Sequence, residues 1–380
     1  MRDLLVTTHT PVLGSGQAVR TYGVARALAA HRGLDLLYVR FGAAEPDAAF
    51  RAIPGIALHE AVPSRGARRA LTYAGALAAG VPDGFARGIS PELARRARAL
   101  AEEDGRGRVI ADGPIAAAAL RQLARRRPVI YNAHNLESGF RGELDGVGDR
   151  QTRALRRFER GLLARAAESW MVSERDLQGA RALCPSARLR YAPNVVDVAA
   201  IEPVSPRVEE QRALFVANFT YEPNRNGLRF LLQDVFPRVW EELPSARLAL
   251  VGGGLEQSPS DDARVETLGF VERLADAYAS ASCAVVPLLQ GGGTPLKLIE
   301  ALAYGLPVIA TPLAAAGLAL RDGEDCLLAD TAAAFAAALV RVLRDGAPEL
   351  ASNGRELAAE RYSIEALSVL LAPESAHPPD

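Results

Sequence analysis

The sequence predicts an α/β protein of two doubly wound domains, each a parallel sheet covered by helices. Its 380 residues suffice for two domains of ordinary size, since one domain takes about 150 residues. Short runs of β-branched and leucine residues alternate with helical patterns, which is the order that builds parallel sheets. An apolar content of 49% can fill two cores, and glycine and proline are too few for a low-complexity chain.

Residues 1–200 are predicted to form the first domain. Its expected strands are Leu4–Thr8, Leu34–Val39, Val109–Ala111, Val129–Asn132, Ser169–Val172 and Leu189–Ala192. The helical patterns between them are Ala18–Ala30, Pro114–Arg125, Thr152–Ala166 and Glu174–Leu183. Ser173 precedes the last of these helices, where a serine side chain can cap the first turn.

Residues 201–347 are predicted to form the second domain, after a linker marked by Pro203 and Pro206. Its expected strands are Leu214–Ala217, Leu248–Val251, Val265–Leu268, Ala284–Pro287 and Val308–Ala310. The expected helices are Leu228–Glu242, Glu272–Ala281, Pro295–Tyr304 and Thr331–Arg344. Residues 372–380 have no core-forming pattern and are expected to fray.

Composition excludes several classes of protein. The chain reaches Thr10-Pro11 before any apolar segment of signal-peptide length, so no secretion signal is expected. Glycine and proline break the longest uncharged stretches, so these are expected to be buried elements and not membrane spans. Cys184, Cys283 and Cys326 are far apart and form no CxxC pair, so we expect neither disulfides nor zinc. These features favour a cytoplasmic protein.

The two halves of the chain carry opposite charge. Residues 1–200 hold 30 basic and 20 acidic side chains, a net charge of +10, whereas residues 201–380 hold 14 and 25, a net charge of −11. Such an asymmetry predicts different partners for the two halves. No aromatic platform or recognition motif accompanies the arginines, so a nucleic acid is not expected.

Lys297 is the only lysine among 44 basic residues. A lysine that survives where arginine has otherwise replaced it is a candidate for a place that needs a compact ammonium. We expect Thr294 to cap a helix that starts at Pro295, which puts Lys297 in its first turn beside the Gly291–Gly293 run. A cation there opposes the helix dipole unless an anion binds, and phosphate fits best. The alternative is a chance lysine on a solvated helix face.

Glu300 and His134 are the other candidate functional residues. Glu300 shares a helix face with Lys297 and can accept hydrogen bonds from hydroxyls beyond a phosphate, such as those of a ribose, or can form an ordinary pair with Lys297. His134 follows a predicted strand within Tyr131–Asn135. At that carboxyl end it is either a ligand contact or a satisfied structural histidine.

Other phosphate-binding and catalytic motifs are missing from the sequence. No GxxxxGK[ST] occurs, and Gly14-Ser15-Gly16-Gln17-Ala18-Val19 lacks the third glycine of the dinucleotide fingerprint. Arg40 follows the second strand, where a dehydrogenase would need an acidic residue. His9 and His134 have no metal-ligand spacing, and no nucleophile elbow is present.

A series of short motifs, in this order, resembles glycosyltransferase family 4, the nucleotide-sugar-dependent enzymes of GT-B architecture. They are Pro11–Gly16, Asn132–Glu137, Val172–Asp176, Pro193–Asp197, Leu214–Asn218, Val251–Gly254, Gly269–Val271 and Gly291–Ala301. Each motif alone is weak, and their order makes the resemblance specific.

The resemblance implies two Rossmann-like domains that face each other across a cleft, with the C-terminal one binding a nucleoside-diphosphate sugar and the N-terminal one most of the acceptor. It implies a hexosyltransferase that retains anomeric configuration without a metal or cofactor, and a helical stretch 348–371 that packs back on the first domain. His134, Lys297 and Glu300 would be catalytic, with Glu300 on the ribose. The implied donor-binding residues are Gly14, Gly16, Asn218, Arg225, Gly253, Phe270, Val271, Gly292, Gly293, Thr294, Lys297, Leu298 and Glu300.

Two departures from the family pattern concern the donor. Gly292 stands where the first of two paired glutamates is usual, and Asn218 with the Glu222–Asn226 loop replaces an Arg and Lys clamp, so Arg225 and Lys297 are expected to share that role. A sugar-nucleotide epimerase and a catalytically silent scaffold of the same fold remain alternatives. The basic first half predicts an anionic acceptor, or an acceptor presented by the inner face of a membrane to which the protein binds peripherally. The alternative is that these arginines are only solvated surface.

Overall fold

The computed structural model describes residues 1–40, 42–63, 65–139, 150–291 and 294–373. Within these ranges no helix is both long enough and apolar enough to span a bilayer. The chain divides into two compact units, one of Met1–Asn194 together with the chain from Ile364 onward, the other of Val195–Ser363. Each unit holds one parallel sheet, which confirms the predicted fold class.

The first unit contains a seven-stranded sheet in the order β3-β2-β1-β4-β5-β6-β7. Its strands are β1 Arg2–Val6, β2 Gly33–Val39, β3 Ile56–Ala61, β4 Arg106–Asp112, β5 Ile130–Asn132, β6 Glu168–Met171 and β7 Leu189–Tyr191. The order reverses between β1 and β4, and ligands of such sheets bind beyond the carboxyl ends at that reversal. The edge strand β3 was not predicted, because His59 and Glu60 interrupt its apolar pattern.

Helices between these strands belong to the same unit. They are α1 Gly16–Ala29, α2 Ala48–Arg51, α3 Gly66–Ala78, α4 Asp83–Ala86, α5 Pro91–Ala101, α6 Gly113–Ala119, α7 Arg150–Leu163 and α8 Glu174–Leu183. Ser173 caps α8 as predicted, by accepting a hydrogen bond from the Asp176 amide. The predicted helix 114–125 is shorter, ending at Ala119 and followed by a 3-10 turn at Leu123–Arg125.

The second unit contains a six-stranded sheet in the order β10-β9-β8-β11-β12-β13, which reverses between β8 and β11. Its strands are β8 Arg212–Val216, β9 Arg247–Val251, β10 Val265–Gly269, β11 Cys283–Val286, β12 Val308–Ala310 and β13 Leu327–Leu328. Its helices are α9 Glu222–Phe230, α10 Phe236–Glu242, α11 Leu274–Ala279, α12 Leu296–Ala303, α13 Pro312–Ala315, α14 Ala332–Asp345 and α15 Pro348–Tyr362. The two-residue strand β13 is too short to leave a pattern.

One predicted helix, 228–242, is divided in the structure. A π-helical segment, Leu231–Val235, separates α9 from α10. Pro237 lies in the first turn of α10. A proline there has no amide hydrogen to donate, and its ring clashes with the carbonyl four residues earlier, so a regular α-helix cannot continue through it.

The C-terminal helices divide between the two units. The resemblance assigned the whole stretch 348–371 to the first domain, but α15 packs on α12 in the second unit. Gly354 permits that contact, since a Cβ there would lie 2.6 Å from Leu302 Cδ2. The following helix, α16 Ile364–Leu370, packs on α1 in the first unit. The unit boundaries therefore fall after Asn194 and Ser363, and not at 200 and 347.

Helix α16 is tied to the first unit by hydrogen bonds as well as packing. His31 Nε2 lies 2.7 Å from the Ser368 carbonyl oxygen, and Arg108 donates to the Leu371 carbonyl at 2.6 Å. Leu367 is fully buried beneath the helix. Helix α16 is therefore part of the first unit.

Replacing Leu367 with alanine is expected to destabilise the first unit, because removing a buried leucine side chain costs about 2–4 kcal/mol. Hydrogen exchange of the α1 amides should accelerate, whereas exchange in α12 should not change. Val369→Ala is the matched control, since Val369 is 75% exposed on the same helix. Equal exchange in the two variants would show that α16 contributes nothing to the first unit.

Candidate functional site

Asp112 is the centre of a polar network at the carboxyl edge of the first sheet, where the strand order reverses. It ends β4 and is fully buried. Its carboxylate accepts hydrogen bonds from the Thr21 hydroxyl at 2.6 Å and from Asn132 Nδ2 at 2.7 Å, and His134 Nε2 lies 2.8 Å away. Three chain segments thus converge on one side chain.

Asp112 keeps its charge despite its burial. Burial acts to raise its pKa, but His134, His9 and the Thr21 hydroxyl together hold the pKa well below its ordinary value. An ionised carboxylate can only accept hydrogen bonds, so His134 Nε2 must be the protonated nitrogen facing it. Asp112 therefore fixes the tautomer and the orientation of the predicted histidine.

Glycine is required next to this pair. A Cβ at Gly113 would lie 2.8 Å from His134 Cε1, and Gly113 has a φ of +84°. The imidazole consequently packs directly on the backbone that begins α6. The sequence analysis missed Asp112, although an acidic residue at the end of the apolar run Val109–Ala111 is an observable signal.

A buried arginine joins the start of the chain to the end of the first unit. Arg20, in α1, donates to Asn132 Oδ1 at 2.6 Å, to the Ala192 carbonyl at 3.0 Å and to Asn194 Oδ1 at 3.2 Å. Burial lowers its pKa to about 10, so it remains charged at neutral pH. Asn132 therefore links Arg20 to Asp112.

The predicted glycines Gly14 and Gly16 lie at the N-terminus of α1. Ser15 between them caps the helix by accepting a hydrogen bond from the Ala18 amide, and the helix starts at Gly16. Gly14 has a φ of +128°, and a Cβ there would meet no atom within 4 Å. Exposed helix amides beside an open glycine can receive an anion.

Lys297 lies at the reversal point of the second sheet. It is the second residue of α12, and its ammonium donates a hydrogen bond to Asn224 Oδ1 and lies 5.1 Å from the centre of the Phe215 ring. In the described part of the chain, no carboxylate lies within 4.0 Å of its Nζ. Burial lowers its pKa to about 7. Among the described residues, the site therefore holds a partly buried lysine with no carboxylate beside it.

The start of α12 differs from the prediction. The helix begins at Leu296, and Pro295 occupies the N-cap position without a side-chain cap. Thr294, the predicted cap, lies one residue before the N-cap position and is buried. Gly292 and Gly293 lie outside the described residues. Leu298, assigned to the donor set, is fully buried in the apolar core of the second unit, so its side chain serves packing.

Glu300 does not pair with Lys297. Its carboxylate accepts a hydrogen bond from the Tyr278 hydroxyl at 3.3 Å, and Tyr278 in turn stacks on Tyr304. Burial raises the pKa of Glu300 to about 7, with the Tyr278 hydrogen bond opposing that shift. The intrahelical alternative is absent from the structure, and both groups carry pKa values displaced toward neutrality, as is common at functional sites.

Asparagines organise the loop after β8. Asn224 Nδ2 donates to the Asn218 carbonyl at 2.7 Å, while its oxygen accepts from Lys297. Asn218 Oδ1 accepts from the Thr220 amide at 2.9 Å. Asn224 was absent from the predicted site, although the clustering of the few asparagines in loops was a signal. Arg225, which was expected to share the role of Lys297, is half exposed and pairs with Glu222 at 3.0 Å. The residue of this loop that contacts Lys297 is Asn224.

The remaining predicted donor residues line the same edge. Gly253 accepts a hydrogen bond from the Phe219 amide at 2.8 Å, which closes the turn after β9 against the loop after β8. Phe270 follows β10 and is 87% exposed, and Val271 packs partly on the core. An exposed aromatic ring at this edge can stack on a nucleobase. Among the described residues, no group of three or more His, Cys, Asp or Glu side chains could hold a metal ion.

Comparison with known proteins gives matches over part of the chain. Residues 210–345 match the family described as Glycosyl transferases group 1. A phosphatidyl-myo-inositol mannosyltransferase of Mycobacterium leprae is 36% identical over 134 residues, which are 33% of this chain and 36% of that protein. Its counterpart in Mycolicibacterium smegmatis is 32% identical over 167 residues, 40% and 42% of the two chains. The matches thus span less than half of these relatives.

Solved structures share the whole fold. Sucrose-phosphate synthase from Thermosynechococcus elongatus has a TM-score of 0.74 at 20% identity, covering 97% of this chain and 96% of that one. Anabaena HepE, solved with UDP and glucose, has a TM-score of 0.67 at 14% identity, covering 96% and 97%. The fold is accordingly that of GT-B proteins, as the resemblance implied.

Replacing Lys297 with methionine is expected to stabilise the protein at acidic and neutral pH. The pKa of about 7 in the folded protein lies below the ordinary 10.5. The charged lysine therefore lowers the free energy of unfolding by its full amount below pH 7, and this loss of stability disappears as pH rises toward 10.5. At pH 6, urea unfolding should show that the free energy of unfolding of the variant is about 1–3 kcal/mol higher than that of the parent. This net gain already includes the loss of the Asn224 hydrogen bond. The gain should shrink at pH 9. A variant less stable than the parent at both pH values would show that the ammonium is not desolvated.

Proposed function

We propose that this chain, whose residues 210–345 match the family described as Glycosyl transferases group 1, transfers a sugar from a nucleoside-diphosphate sugar to an acceptor hydroxyl. The observation that carries the proposal is the partly buried ammonium of Lys297 in the first turn of α12, with no carboxylate within 4.0 Å among the described residues. A diphosphate would supply the missing negative charge. The Anabaena HepE structures, solved with UDP and with UDP-glucose, support this ligand class.

The two units divide the chemistry in this proposal. The second unit binds the donor: Lys297 receives the diphosphate, Glu300 the ribose hydroxyls and Phe270 the base. The leaving diphosphate gains charge in the transition state, and a cation preorganised in a water-poor site stabilises that charge without reorganisation. His134, held by Asp112, contacts the transferred sugar from the first unit. These residues need no metal, and we assign retention of anomeric configuration to the reaction.

We further propose an anionic acceptor, or an acceptor presented by an anionic membrane surface. The support is the net charge of +10 on residues 1–200. Each basic side chain near a charged bilayer contributes about 1 kcal/mol of attraction, and the effect fades within a Debye length. The mycobacterial relatives are named as mannosyltransferases of phosphatidyl-myo-inositol, which is itself an anionic lipid.

Turnover of a nucleotide sugar is expected to fall about 30- to 1,000-fold in Lys297→Ala, which corresponds to about 2–4 kcal/mol of lost transition-state stabilisation. Lys297→Arg keeps the charge and should lose less. The measurement is release of nucleoside diphosphate from UDP-, GDP-, ADP- and TDP-sugars, with NMR of the product anomer and a parallel reaction in EDTA. Near-normal rates in the alanine variant would remove Lys297 from the mechanism, and an inverted anomer would refute retention.

Glu300→Gln is expected to weaken binding of a ribonucleoside diphosphate by about tenfold, since a charged acceptor contributes about 1.5–3 kcal/mol per hydrogen bond. Binding of the matching 2′,3′-dideoxynucleotide should hardly change, because the hydroxyls that Glu300 would accept from are missing. Isothermal titration of both nucleotides against both proteins forms a double-mutant cycle. An equal loss for the two nucleotides would refute the ribose assignment and indicate a structural role beside Tyr278.

A further inference from the structure

A cavity of about 480 Å³ lies in the first unit between α6 and α7. Its floor is apolar, formed by Ala111 of β4, Tyr131 of β5, and Phe158 and Leu162 of α7. This volume is within the range of small-molecule sites, which is about 300–1,000 Å³. The cavity is therefore large enough to receive a ligand.

Four arginines border the cavity: Arg121, Arg125, Arg157 and Arg165. Within the described residues none of the four has a carboxylate within 4.0 Å, and Arg165 donates a hydrogen bond to the Gly161 carbonyl at 2.6 Å. Some other exposed arginines of the same unit are paired, as Arg87 is with Asp83 and Arg95 with Glu92. Four like charges around one opening repel each other, and guanidinium groups bind phosphate oxygens in bidentate fashion.

The cavity is separate from the network around Asp112. Arg125 precedes Val129, which leads into β5, and Arg165 precedes Ala166, which leads into β6. These rim residues therefore lie toward the amino ends of β5 and β6, whereas Asp112 and His134 lie at the carboxyl ends of the strands. The proposed sugar transfer leaves this cavity without a role.

We propose that the cavity binds an anionic amphiphile, with its phosphate on the arginines and the first carbons of its alkyl chain on the apolar floor. The arginine rim and the apolar floor together determine the class of ligand. A phosphate alone would use only the rim, and a neutral amphiphile would use only the floor and leave the four positive charges facing each other. The inference does not depend on the sugar-transfer reaction.

The first test is isothermal titration with dodecyl phosphate below its micellar concentration. Inorganic phosphate and dodecyl maltoside serve as the two half-ligands, and each should bind at least tenfold more weakly. The variant Arg121→Gln with Arg157→Gln should weaken dodecyl phosphate binding at least tenfold. Arg153→Gln with Arg160→Gln makes the same change in charge at exposed positions of α7 that do not line the cavity, and it should bind as the parent does.

A second variant fills the cavity and keeps every arginine. Gly161 lines the cavity in α7, and a Cβ there would meet Arg165 Nη1 at 2.7 Å, the mobile end of a long side chain. Gly161→Leu also replaces a poor helix former with a good one, so the helix is not weakened. We expect this variant to lose dodecyl phosphate binding by at least tenfold while its thermal midpoint is maintained.

Binding of Gly161→Leu at parental affinity would overturn the proposal, as would equal losses in the two arginine pairs, because either result describes charge attraction without a cavity. Co-sedimentation with vesicles of phosphatidic acid or of phosphatidylcholine alone then identifies the source of the amphiphile. If Gly161→Leu also loses binding to the anionic vesicles, the ligand is a bilayer lipid. If it keeps that binding but loses dodecyl phosphate, the cavity takes a free amphiphile.

Discussion

Burying an ionised side chain in a packed domain costs several kcal/mol unless partners replace the water that it loses. The ionisable side chains at the carboxyl edges of the two sheets, Asp112 and Lys297, are stabilised against this cost in different ways. In the first unit Asp112 is surrounded by donors from Thr21, Asn132 and His134, so its charge is retained and the surrounding side chains are fixed. Removing any one donor would leave a buried carboxylate partly unpaired. The network is therefore constrained as a whole.

The second unit meets the same cost differently, because Lys297 has a hydrogen-bond acceptor and a ring face for partners. A single amide oxygen does not replace the hydration of an ammonium, and the lowered pKa is the result. Such a group reduces the stability of the ligand-free fold and increases the affinity for an anion by the same interaction. If Lys297 binds the diphosphate as proposed, stability and function oppose each other at one residue, as is common in binding sites.

Much of this arrangement can be predicted from the sequence, because it depends on local chemistry. Apolar runs predicted every central strand, and the unusual lysine at position 297 pointed to the start of α12. Features that depend on tertiary packing escaped prediction. The role of Asp112 requires α1, β4 and β5 to converge, and the burial of Leu298 requires knowledge of which face of α12 meets the sheet. Thr294 resembled a cap because the sequence does not specify whether Pro295 is the N-cap or the first helical residue.

The contrast between Arg20 and Lys297 fits the proposed role of the one lysine in this arginine-rich chain, which is to bind the diphosphate of the donor. A guanidinium keeps its proton at neutral pH even when buried, so it can be accommodated only where several oxygens surround it permanently, as Asn132, Ala192 and Asn194 surround Arg20. A site that must be both empty and occupied in turn cannot provide such permanent partners. An ammonium with a pKa of about 7 can lose its proton when no anion is bound and regain it when one arrives. Lysine at position 297 therefore suits a charge that is needed only in the presence of the ligand.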